Sequence, residues 1–232
     1  MSKFFSAWWL ALACLGLADA RSSVVFQQMY FSVDGKRVLV THRLENERAL
    51  EVDQVLKVLS FSGVEWQVLV EGRDKQLSGD AALNFTLARF LSEFTRRYGL
   101  QPKAAVPLFQ AAGRPPQMLG ALGPRVGGSS HHTLRVAGQN VRLKLNVVRN
   151  AHAGPCSLLT DTGGVAATFE LALDAGQGQK VIYRHPGTEP CVYAYALRRV
   201  DVQGSSMLLS LVGFAPNVEG DEEVAVYVFL KK

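Results

Sequence analysis

The chain predicts a mainly β protein: a β-rich α+β fold in which an antiparallel sandwich or open barrel carries one amphipathic helix. Three observations predict it. Runs of alternating apolar residues follow one another over residues 165–230, with glycine- and proline-marked turns between them. Asp34-Gly35 stands between two β-branched runs, and both residues tolerate the positive φ of a tight hairpin turn. Apolar residues recur convincingly at helical spacing once, over residues 83–98, so crossover helices that would make a parallel sheet are missing from the pattern.

The first 20 residues read as an export leader. Lys3 supplies a positive start, residues 4–18 are almost wholly apolar, and Ala18-Asp19-Ala20 has the small-x-small pattern of a signal-peptidase site, predicting a mature chain from Arg21. Leu10-Ala-Leu-Ala-Cys14 offers a lipoprotein box as the alternative, with a lipidated Cys14 as the new first residue. No later segment reaches the ~18 consecutive apolar residues of a membrane helix. Removing residues 1–20 takes away Lys3 and Asp19 and leaves the formal charge at +5. The basic residues are scattered, with Lys36-Arg37, Arg96-Arg97, Arg198-Arg199 and Lys231-Lys232 as adjacent pairs, which fits solvated surface. Together with export, this argues against nucleic acid as the partner.

Residues 24–31 and 38–41 flank the Asp34-Gly35 turn, and residues 52–61 and 64–70 form a second hairpin about Ser62-Gly63. The helix follows. Leu83, Leu87, Phe90, Leu91, Phe94 and Tyr98 fall on one stripe at 3.6 residues per turn, predicting packing on the sheet. Ser78 or Asp80 caps its start, Arg96 and Arg97 suit the negative end of its dipole, and Gly99 ends it. Asn84-Phe-Thr86 matches a glycosylation sequon inside that helix.

Residues 102–130, rich in proline and glycine, read as a long surface loop with a short ordered piece near 106–111. Residues 133–136 and 141–148 form a hairpin about Gly138. Phe169, Leu171 and Leu173 share a strand face, residues 174–179 turn the chain, and Val181 and Tyr183 start the return. Residues 191–202 make one bent strand or two short ones, Gln203-Gly-Ser-Ser206 turns into 207–214, and 223–230 closes with Val224, Val226 and Val228 on one face. The chain thus divides into a leader (1–20), N-terminal hairpins plus helix (21–101), a loop (102–130) and a C-terminal antiparallel region (131–232).

Cleavage of the leader leaves Cys156 and Cys191, each preceded by a proline. An even count in an oxidising compartment predicts a disulfide. It would close a loop of about 36 residues and contribute about 3–4 kcal/mol in the chain-entropy account. A metal or redox site is the sharper reading, but there is no Cys-x-x-Cys.

No residue constellation specifies a reaction. Ser129, Ser130, His131 and His132 are expected in a flexible loop, without the Gly-x-Ser-x-Gly elbow of a serine hydrolase. His152 and His185 could join them around zinc, though the spacing follows no ligand pattern. Asn217, Glu219 and Asp221, with Glu222 and Glu223, place oxygen ligands near Gly220 as calcium would want. A charged hairpin guarding a sheet edge is the plainer use of that loop. Glu65, Glu71 and Glu219 are the carboxylates a hydrolase would draw on, provided two of them face each other across a cleft. No cofactor is expected.

The leader, the Ser32-x-Asp34-Gly35 hairpin, the helix ending Arg97-Tyr98-Gly99, and the run from Cys191-x-Tyr193 through Asn217-Val-Glu219-Gly-Asp221 resemble a bacterial family of predicted secreted proteins of unknown function. The resemblance covers most of the mature chain and is strongest over its last 65 residues or so. It implies export and a shared β-rich fold, and brings no activity or catalytic residues. An acidic, glycine-rich segment of that family is reduced here to residues 44–51. Phe31-Ser-Val-Asp-Gly-Lys36 also resembles a phrase of β-propeller blades, but it occurs once, without the ~40-residue repeat a propeller needs.

The expected function is that of an exported periplasmic or secreted binding or structural module, non-enzymatic, recognising an envelope protein or polysaccharide. An envelope hydrolase using a carboxylate pair, and a lipid-tethered adhesin or assembly factor, are the alternatives.

Overall fold

The computed structural model describes residues 22–46, 51–70, 107–110, 124–136, 138–154, 156–161, 164–174, 178–189, 191–217 and 220–231, and within 88–99 the positions 88, 89, 92, 93, 95–97 and 99. The leader with Cys14, the apolar stripe of the expected helix with its caps and sequon, Glu71 and Glu219 lie outside the described residues. The described positions from 88 to 97 are helical and exposed, and Gly99 follows them at φ 60°, in the left-handed region that ends helices. Its carbonyl accepts the Val33 N–H at 3.2 Å, which ties this segment to the first hairpin turn.

Among the described residues twelve strands carry the fold: β1 (Ser22–Phe31), β2 (Arg37–Asn46), β3 (Glu51–Ser60), β4 (Gly63–Val70), β5 (Pro107–Gln110), β6 (Ser129–Val136), β7 (Gln139–Arg149), β8 (Ala167–Asp174), β9 (Gln179–Arg184), β10 (Ala194–Gln203), β11 (Ser206–Asn217) and β12 (Gly220–Lys231). One helical turn, Ser157–Asp161, precedes β8 and has no periodic signature in the sequence. An eight-stranded sheet runs β4-β3-β2-β1-β12-β11-β10-β5, and a four-stranded sheet runs β6-β7-β8-β9. The pairings among the described residues are antiparallel except that of β1 with β12, which run parallel at Ser22↔Glu222.

The expected hairpins form, and the strand at 191–202 is a single one, β10, bent by a register shift between Leu197 and Arg199. One expectation needs correction. Ser129, Ser130, His131 and His132 do not sit in a flexible loop: they open β6, where His131 pairs with Lys144 and His132 with Leu143 of β7. Their alternation was masked by two serines and two histidines, which carry no apolar period. The short ordered piece expected near 106–111 forms as β5, residues 107–110, on the edge of β10, and Arg125 makes a bridge to Ala194.

Alternation decides the packing. On one face of the central strands, Tyr195, Leu197 and Val200 of β10, Leu209, Leu211 and Ala215 of β11, and Val226 and Val228 of β12 meet Leu143, Leu145 and Val147 of β7 and Phe169 and Leu171 of β8. On the opposite face, Leu208 and Phe229 meet Met29 and Phe31 of β1 and Val38 and Val40 of β2, while Val212 and Phe214 meet Val24. The large sheet therefore folds back on itself where β1 leaves β12, and β10–β12 form the middle of three layers. A strand covered on both faces must be apolar continuously, and β11 is: from Leu208 to Ala215 every residue is buried.

Polar contacts hold the fold-back. The Glu223 carboxylate accepts the Val24 N–H at 2.8 Å through Oε2 and faces Arg198 at 3.4 Å through Oε1. Where β1 turns away from β12, a side chain thus takes over from the backbone ladder. At the far end Ser206 Oγ donates to the Gly35 carbonyl at 2.7 Å, joining two hairpin tips. On β10, Arg199 donates from Nε and Nη2 to the fully buried Asp201, a forked pair two residues apart on one strand face.

Candidate functional site

Because β1 pairs with β12 only near Ser22↔Glu222 among the described residues, the outer edge of β12 runs on unaccompanied toward its C-terminal end. A cleft of about 350 Å³ opens along it. Its floor is residues 225–229 of β12; one wall is the end of β3 and the β3–β4 turn, and the other is Tyr183 and the segment 185–189 after β9. The volume is at the lower end of the range that holds small ligands or short segments of chain.

The walls combine apolar and titratable groups. Phe61, at the β3–β4 turn, is 41% exposed yet stacks on Phe229 with ring centroids 4.4 Å apart. Val64 beside it is exposed too. Lys57 of β3 places Nζ 5.9 Å from the centroid of the Tyr227 ring. Behind that ring, Tyr227 Oη lies 2.7 Å from Nδ1 of His42, which is itself 2% exposed. Burial pushes His42 down to about 3, with the Lys57 charge adding to the effect, so it is a neutral imidazole throughout the physiological range. Burial likewise holds Lys57 below the ordinary ammonium range, against the upward pull of Glu189, and raises the Tyr227 phenol well above its usual range.

The opposite wall is built around His185. Its ring stacks on Phe169 at 4.6 Å, and its Nδ1 accepts the Gly187 N–H at 3.1 Å. Acceptance at Nδ1 leaves the proton of the neutral ring on Nε2, which faces Glu189 Oε2 at 3.4 Å. That separation is within ion-pair range, but no described residue makes a hydrogen bond to Glu189 Oε2, while Oε1 takes the Thr188 hydroxyl at 3.1 Å. Burial lowers the His185 pKa and the Glu189 carboxylate raises it, with burial the larger influence. Tyr183 is raised by burial and then by Glu189.

The segment is held from beneath. Asn150, buried at the end of β7, donates Nδ2 to the Gly187 carbonyl at 2.9 Å. Gly187 has φ 71°, and a Cβ there would lie 2.6 Å from Asn150 Nδ2, so the position requires glycine on both conformational and steric grounds. The Cys156–Cys191 disulfide, with Cα atoms 5.6 Å apart, joins the β7–β8 connection to the chain just beyond Glu189.

Of the described residues singled out from sequence for chemistry, only His185 lines the cleft. Cys156 and Cys191 buttress the cleft wall and do not line the cleft. Asn217 and Asp221 flank the β11–β12 turn on opposite strands, paired respectively with Gly220 and Pro216. Among the described residues no three His, Cys, Asp or Glu side chains come together as a metal group. Glu65 is engaged by Arg37 Nε at 2.7 Å. Ser130 Oγ lies 3.0 Å from His132 Nε2 on β6, at the edge of the small sheet opposite β9 and the cleft. Lys57, Phe61, Tyr227 and Glu189 were not marked by any motif: each lies in an ordinary strand or turn, and only the fold-back brings them together.

The sequence matches no protein-family model and no curated protein. The geometry of the cleft is therefore what a functional reading rests on.

Proposed function

We propose that this is an exported, non-catalytic binding protein whose ligand, an envelope component, occupies the cleft along β12. The observation that carries the reading is the cleft itself: exposed apolar side chains at Phe61 and Val64 stand beside a buried carboxylate oxygen to which no described residue makes a hydrogen bond, on walls fixed by a disulfide and a stacked histidine. Rigid walls with a few placed polar groups are how binding sites gain orientation without chemistry. Export is supported by the apolar leader ahead of Arg21 and by the disulfide, which persists in oxidising compartments. Hydrolysis of glycosidic bonds draws on two carboxyl groups facing across a cleft, and Glu189 is the one acidic residue among the described residues that line this one.

Two measurements test the reading. Intact mass of protein purified from envelope fractions should correspond to a chain beginning at Arg21 and two hydrogens lighter than its reduced form; a lipid-bearing species beginning at Cys14 would replace it with a tethered protein. Envelope extract passed over the immobilised protein, beside Phe61→Asp and Glu189→Lys variants, should lose its bound component with either variant. Equal retention by all three would remove the cleft from the function. Turnover of envelope glycan abolished by Glu189→Gln would replace binding by catalysis.

A further inference from the structure

We infer that the cleft binds an extended segment of another protein by adding it as a strand to the outer edge of β12. The inference rests on the binding reading above and names the ligand. Its basis is the hydrogen-bonding phase of β12. The β11–β12 turn has two residues between the paired Asn217 and Gly220, which makes those two a mutually hydrogen-bonded pair. Antiparallel pairs then alternate: Pro216↔Asp221 is a non-hydrogen-bonded pair, as suits a residue without an N–H, and so are Val212↔Ala225, Ser210↔Tyr227 and Leu208↔Phe229. Ala225, Tyr227 and Phe229 therefore aim both N–H and C=O away from β11, at the edge that forms the cleft floor.

Along that floor β1 has already diverged, and no backbone partner among the described residues takes these groups. An unpaired strand edge is normally shielded by charge, proline or a bulge. This one is instead walled on both sides, with no described residue between the walls paired to it. Donors and acceptors repeating about every 6.8 Å along a strand match another main chain better than a sugar or a lipid. The walls add side-chain requirements: an apolar residue against Phe61 and Val64, and a hydrogen-bond donor for Glu189 Oε2. Edge pairing would supply affinity independent of sequence, and the two walls would choose among sequences.

The test uses the exported, oxidised protein, labelled with ¹⁵N, and octapeptides selected on it from a random phage-displayed library. In the free protein the amides of Ala225, Tyr227 and Phe229 should exchange quickly, and those of Val224, Val226 and Val228 slowly. Addition of a selected peptide should slow the first three at least tenfold. N-methylation at alternate peptide positions should abolish binding in one phase and be tolerated in the other. Slow exchange of the three amides before any peptide is added would overturn strand addition, whether the edge is covered by the chain itself or, with concentration dependence, by a second copy. So would failure to select any peptide, or peptides that perturb Lys57, Phe61 and Glu189 without protecting the amides. This last result would keep the cleft as a binding site and discard only the strand. An envelope glycan retained by the native protein and lost with Phe61→Asp would likewise keep the cleft and replace the peptide.

Discussion

His42 shows how one residue couples the cleft floor to stability. The folded protein holds it neutral, at about 3, whereas an unfolded chain would protonate it at ordinary histidine values. Its folded pKa is depressed, so the unfolded state binds the extra proton as the pH falls. Stability contributed by the neutral ring is fully present above about pH 6.5 and is lost between there and about pH 3, by as much as ~1.4 kcal/mol per pH unit. Urea unfolding of His42→Gln should show a flatter slope than the native protein across that window; equal slopes would mean that other groups set the acid limb. Gly187 offers a second residue-scale prediction. Gly187→Ala must place a methyl against the Asn150 amide and hold a left-handed φ, so a loss of about 1–3 kcal/mol in thermal unfolding is expected. Gly154→Ala, where a Cβ meets nothing, should be nearly silent.

At the scale of elements, the disulfide acts on the 185–189 wall more than on any strand. It links residues 35 apart, so reduction should lower stability by about 3–4 kcal/mol on the chain-entropy account. Ligand binding should weaken further than that loss of fold explains, because Glu189 stands two residues from Cys191. The check is to compare the paired Cys156→Ser, Cys191→Ser protein with the native one at temperatures where both remain folded. Equal binding would show that Asn150 and His185 suffice to place the wall. Element positions were legible from sequence because hairpin turns are local: Asp34-Gly35, Ser62-Gly63, Gly138 and Gly204 each mark a reversal that needs a positive φ or a tight turn, and the flanking alternation supplies the strands. The disulfide was legible too, from cysteine arithmetic. The opening of β6 was not, since Ser129-Ser-His-His132 has no apolar period, and neither was the pairing of β1 with β12, whose partners are 200 residues apart and leave no local trace. That pairing is what assembles the cleft, so the site stayed hidden while most of its strands were visible.

The molecule as a whole depends on a single change of direction. If β1 followed β12 along its length, the large sheet would lie open, β11 would lose one of its two covers, and the edge at residues 225–229 would be filled. Glu223 is placed to prevent this: its carboxylate takes the Val24 N–H and faces Arg198, both partly buried, so the divergence leaves neither an orphan donor nor a lone cation. Glu223→Ala should therefore cost about 2–3 kcal/mol, more than a surface carboxylate, because a buried donor and a buried charge lose their partner together. Glu222, next along the strand and exposed, is the control, with an expected change within about 0.5 kcal/mol on Glu222→Ala. Amide exchange separates the mechanisms. Faster exchange confined to Val24 and its neighbours on β1 would place the cost at the fold-back, whereas uniform acceleration over β10–β12 would place it in the middle layer. Loss no greater than that of Glu222→Ala would mean that the apolar contacts of Met29, Phe31 and Val40 with Leu208 and Phe229 turn the sheet by themselves.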